Sequence, residues 1–168
     1  MPISRIIQSR LLNLSALLGG ILIIAFAVLT VTEFMAGSYF EYNGFTDRDL
    51  YRAWDIFGAF PTTGAELSAK DGGRTPGGGL YYSLQLIQLL DPAPKTIWLV
   101  VFTATKLSLI FLFYAVTRVT SVFGAAVAVS ALATSQVLID NAFTLWNPSI
   151  GEPFGILAIA LFVLHIHN

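Results

Sequence analysis

The 168-residue chain contains no cysteine, so it holds no disulfide framework, no CxxC zinc site and no thiol nucleophile. Charge is scarce as well. Asp, Glu, Lys and Arg make up 11% of the residues, against about 25% in an ordinary soluble domain. Nine basic and ten acidic side chains leave a net charge of −1, which offers nucleic acid no basic footprint. A cytosolic metabolic enzyme and a nucleic-acid binder are excluded together. What the chain has in quantity is hydrocarbon: hydrophobic residues reach 55%, aromatics 13%, and mean hydropathy is +0.73. Long Leu/Ile/Val runs are the opposite of a disordered composition. These features predict an all-α integral membrane protein folded as a single transmembrane domain.

Four spans are expected. Leu11 to Thr32 is free of charge for 22 residues, about 33 Å of helix against a hydrocarbon core of about 30 Å. Its apolar run exceeds that of a secretory signal, so it reads as an uncleaved anchor. The second span covers 96–117 and contains one charge, Lys106; the third covers 122–139 with none. The fourth, 154–168, has only about 15 apolar residues, roughly 22 Å, so the chain is expected to be part of a longer protein. Arg5, Arg10 and Arg118 lie on one side, whereas 33–95 carries five basic and eight acidic residues. The positive-inside rule then puts the N-terminus in the cytoplasm and the loops 33–95 and 140–153 on the outward side.

The long outward loop divides into parts. TDRDLYRAWDIF (46–57) has Leu50, Trp54 and Phe57 at helical spacing, which predicts a short helix lying at the interface. GGRTPGGG (72–79) reads as irregular. LYYSLQLIQLL (80–90) reads as a second interfacial or re-entrant helix, ended by DPAP.

Each notable residue has a plain and a chemical reading. Asp47 and Asp49, early in the first interfacial helix, suit a general base that takes a proton from an attacking hydroxyl or amine. They equally suit a helix start, with Thr46 as N-cap and Asp49 at N3. Arg74 in its glycine-rich tract suits an anion site or a flexible loop. Lys106, about 15 Å from either end of its helix, faces a polar cavity or an acidic partner, as a functional group or as half of a structural pair. In LWNPSIGEP, Ser149 and Glu152 have capping spacing for the fourth helix. His165 and His167, two apart, make a poor metal pair.

The order of these elements resembles a known family. The uncleaved first span, the acidic pair in NGFTDRDLYRAW, the stretch RTPGGGLYYSLQLIQLL and the WNPS turn are similar to the N-terminal part of the GT-C glycosyltransferases. Among these, the chain is most similar to bacterial relatives of the protein O-mannosyltransferases and the aminoarabinose transferases. The resemblance implies an enzyme that moves a sugar from a polyprenyl-phosphate carrier to a lipid, glycan or protein acceptor outside the cytoplasm. It further implies that Asp49 or Asp47 is the base, and that Arg52 and Arg74 contact the lipid phosphate, with Lys106 a further basic candidate. No metal ligand and no cofactor are assigned; a divalent ion stays open because oligosaccharyltransferase relatives use one. The competing expectation is a small non-catalytic membrane protein or transporter fragment in which Lys106 lines a polar path.

Overall fold

The structure, a computed structural model, describes residues 3–37, 44–55, 63–66, 74–76, 79–143 and 147–167, with side chains described at 12–37, 48–55, 79–143 and 149–167. The described residues form helices α1 (Ile3–Gly37), α2 (Gly44–Asp55), α3 (Gly79–Gln88), α4 (Pro94–Thr117), α5 (Val122–Ala133), α6 (Gln136–Phe143) and α7 (Asn147–His167). One short ribbon joins them: β1 (Thr63–Glu66) pairs antiparallel with β2 (Arg74–Pro76). This is an all-α membrane protein. Helices α1, α4 and α7 are each long and apolar enough to cross a bilayer, and α5 with α6 makes a fourth crossing if the bent pair counts as one span.

Four boundaries differ from the sequence expectation. Helix α1 does not stop at Thr32 but runs on to Gly37, carrying Glu33 inside the bundle. The carboxylate tolerates this because Lys106 answers its charge there. Helix α7 begins at Asn147, not Phe154, so its 21 residues rise about 31 Å and match a bilayer core. Pro148 then sits in the first turn, where its missing N–H costs nothing, and Ser149 and Glu152 are interior residues and not caps. The third span is broken: α5 and α6 meet at an angle of 56°, at a point where the Thr134 hydroxyl donates to the Ser130 carbonyl at 2.8 Å. Last, the GGRTPGGG tract is not irregular throughout, because Arg74–Pro76 forms β2.

Local chemistry sets the starts of two helices. Pro94 opens α4, and Asp91 accepts the Thr96 hydroxyl at 2.6 Å and the Ala93 N–H at 2.9 Å. Those two bonds hold the half-buried Asp91 carboxyl below its ordinary pKa. Ser121 caps α5 by accepting the Gly124 N–H at 3.1 Å.

Packing centres on α4, whose closest neighbour is α7, while α1 lies along α5 and α6. Two apolar clusters sit at different depths on α4. The first joins Leu50 and Ala53 of α2 to Tyr81 and Leu84 of α3, Ile97 and Val101 of α4 and Ile150 of α7. The second joins Leu109, Leu112 and Ala115 of α4 to Val129 and Ala133 of α5, Leu138 of α6, and Ile156 and Ala160 of α7. Between them α4 presents Thr105, Lys106 and Ser108, all buried. A polar layer therefore separates two apolar cores. The lipid-facing surface is hydrocarbon, with Leu17, Ile24, Val28 and Val31 of α1 all exposed, as expected where the solvent is itself apolar.

Candidate functional site

Two groups of polar residues come from this fold. The first is on α2. The helix is fixed by Leu50 and Ala53 in the upper apolar cluster and by two glutamines of α3. Gln85 Nε2 donates to the Ala53 carbonyl at 3.1 Å, and Gln88 Nε2 to the Leu50 carbonyl at 3.0 Å. The first of these carbonyls belongs to the last turn of α2, whose acceptors have no partner within the helix. So α2 is docked at its C-terminal end, and the face carrying Asp49 is set with it. Asp49 is 4% exposed. Its Oδ1 accepts Arg48 Nη2 at 3.0 Å and Nε at 3.1 Å. Because α2 starts at Gly44, Thr46 and Asp49 lie inside it, and the expected N-cap and N3 roles do not hold.

The second group is the polar layer. Lys106 on α4 forms a buried ion pair with Glu33 on α1, and its ammonium lies 5.1 Å from the centre of the Phe102 ring. Asn141 on α6 donates to Glu152 on α7, and Lys106 and Glu152 line the same small cavity. Four helices thus meet through side-chain polar atoms. Aromatic rings roof this layer on the α2–α3 side: Trp98 stacks on Phe102 with centroids 5.2 Å apart, and Phe34 stands 6.0 Å from each. The Trp98 indole donates to the Ala142 carbonyl at 3.0 Å. Gly37 permits the approach of α1, since a Cβ there would overlap the Trp98 ring and lie 3.2 Å from the Ala142 oxygen. A cavity of about 20 Å³ lies among Trp98, Thr105, Lys106, Asn141, Ser149 and Glu152, room for about one water molecule.

The residues singled out in the sequence fall as follows. Asp47, Asp49 and Arg52 share α2, with Arg52 half-buried; the side chain of Asp47 lies outside the described residues, as does that of Arg74, whose backbone is in β2. Phe57 is outside them too. Leu50 and Ala53 are buried, while Trp54, expected at the membrane interface, is exposed. Lys106 is not with the α2 group. It sits about 7 Å of helical rise below Val101, the last α4 residue of the upper cluster. His165 and His167 are exposed at the end of α7, and among the described residues no group of three or more His, Asp or Glu could hold a metal. Sequence reasoning passed over Glu33, Asn141 and Arg48. For Glu33 a signal existed: it directly follows an apolar helix in a chain with one charge in its second span, and so could have been paired with it. No protein-family model, curated protein or solved structure matches the chain.

Proposed function

We propose that the chain serves sugar transfer at the outward face of the membrane, from a polyprenyl-phosphate carrier to a lipid, glycan or protein acceptor, with Asp49 as the general base and Asp47 as its alternate. One observation carries the reading: a buried carboxylate, Asp49, sits on a short helix that follows the first span and is pinned by two glutamines of α3. A base needs such fixed placement, because proton transfer depends on hydrogen-bond reach to the attacking group. Arg48 pairs with this carboxylate at 3.0 Å and fixes its orientation. Arg52 on the same helix, and Arg74, supply guanidinium groups for the phosphate leaving group, whose charge two or three donors stabilise. The exposed Tyr51, Trp54, Tyr82 and Leu86 on α2 and α3 suit a layer lying at the bilayer interface, where a lipid-linked donor presents its headgroup.

The test is transfer of labelled sugar from a polyprenyl-phosphate donor in membranes carrying the protein. Asp49→Asn is expected to lower turnover by about 10²–10⁴, with unchanged membrane insertion. Full turnover in Asp49→Asn, with loss in Asp47→Asn, moves the role to Asp47; full turnover in both variants refutes the base.

The polar layer favours a second reading, a membrane protein in which Lys106 lines a polar path across the bundle. The two readings rank the variants oppositely. On the second, Lys106→Met abolishes activity and Asp49→Asn does not.

A further inference from the structure

The polar layer holds two carboxylates, Glu33 and Glu152, and one ammonium, Lys106. Glu33 is 1% exposed and Lys106 8%. A buried layer with all three ionised carries an uncompensated negative charge, which apolar surroundings strongly disfavour. Neutrality is reached when one carboxylate binds a proton. The geometry says which. Glu33 Oε2 is bound to Lys106, and its Oε1 has no hydrogen-bond partner among the described residues. Glu152 is half-buried, accepts the amide of Asn141, and lines the one-water cavity together with Lys106. Lys106 Nζ is bonded to Glu33, so among the described residues the Glu152 carboxyl meets the neutral Asn141 amide and no directly bonded cation.

We propose that Glu152 is a proton-binding site coupled through Lys106 to Glu33: Lys106 pairs with Glu33 while Glu152 is protonated, and is shared between the two carboxylates once Glu152 ionises. The proton leaves from the Glu152 carboxyl to water in the adjoining cavity and returns by the same route. No other ionisable group crowds the site among the described residues. Helix α1 supplies Glu33, α4 supplies Lys106 and α7 supplies Glu152; α6 supplies the neutral Asn141, with Asp140 exposed; α5 supplies none; and α3 supplies only the tyrosines Tyr81 and Tyr82. Because Lys106 holds α1 to α4 through Glu33, ionisation of Glu152 weakens the contact between the first span and the rest of the bundle. The site stands apart from the sugar-transfer reading and needs no substrate to be tested.

The experiment is infrared difference spectroscopy of the protein in lipid vesicles, titrated from acid to alkaline pH, following the carbonyl band of protonated carboxyl groups. The wild type is expected to show a buried carboxyl band that disappears as pH rises. Glu152→Gln, which keeps the acceptor for Asn141, removes that band. Glu33→Gln also removes it, because Lys106 then pairs with Glu152 and holds it ionised. Lys106→Met makes it larger and carries it to higher pH. A wild type without a titrating buried carboxyl, or a band undiminished in Glu152→Gln, overturns the proton site; a band undiminished in Glu33→Gln overturns the coupling through Lys106.

Discussion

Lys106 and Glu33 stand 73 positions apart in the chain, and each removes the reason the other should not be buried. Taking a single charge out of water is costly, and the pair repays that cost only while both members are present. Lys106→Met alone is therefore expected to destabilise the bundle by roughly 3–5 kcal/mol, whereas the double variant Glu33→Leu with Lys106→Met is expected to be neutral or stabilising. Reversible unfolding in mixed micelles measures both, and equal losses in the single and double variants would show that the pair does not act as a unit. The sequence flagged Lys106, because a charge in mid-span is visible without a structure. It assigned Glu33 to a loop, because the end of an apolar run looks the same whether the helix stops there or continues. Asp49 shows the converse. Its type and position were legible, but its burial and its contact with Arg48 follow from how α2 is docked.

Among the elements, the helix starts obey local rules wherever a local partner exists. The turn before α4 is the clearest case, with Asp91 accepting from Thr96 and Ala93 ahead of Pro94. The two bonds depress the folded-state pKa of Asp91 below the ordinary aspartate value. The stabilisation is therefore present in full above the unfolded pKa and is lost as pH falls through the lower, folded value. Asp91→Ala is expected to lower the thermal midpoint at neutral pH, and the gap from wild type to close in strong acid; a pH-independent gap would leave the capping bonds without a role. The start of α7 was misread for a different reason. Pro153 and Ser149 carry start signals, yet Pro148 carries an equally good one five residues earlier, and the helix takes the earlier start because Ile150 and Ser149 are then buried against α4 and the upper cluster. The break between α5 and α6 left no mark in hydropathy, since the two halves together remain apolar enough for one span.

On the scale of the whole molecule, the arrangement is two apolar cores separated by a polar layer, with α2 and α3 covering one end and the α4–α5 turn at the other. On the positive-inside rule, the turn carrying Arg118 is expected on the cytoplasmic side with the N-terminus, and α2 and α3 on the opposite side of the membrane. Absence of cysteine makes this directly measurable. In intact cells, a membrane-impermeant maleimide is expected to label Tyr82→Cys and Asp55→Cys, and to label Thr120→Cys only after the membrane is opened. The reverse pattern would invert the topology and move the Asp49 face to the cytoplasmic side.

The sequence by itself determined the class of the protein, the existence and approximate place of its spans, and the helical character of the segment that carries Asp47, Asp49 and Arg52. Those properties follow from hydrocarbon content, from runs long enough to cross a bilayer and from residue periodicity, all of which are local. Tertiary structure alone decided that Glu33 belongs to the first helix and its buried ion pair and not to a loop, that Glu152 accepts from Asn141 and does not cap a helix, and that Asp49 is buried on a helix held by two glutamines of α3. The physical reason is the same in each case. A polar group is tolerated inside hydrocarbon only where a partner meets it, and the partners here come from helices far apart in sequence, so pairing exists only once the bundle is packed.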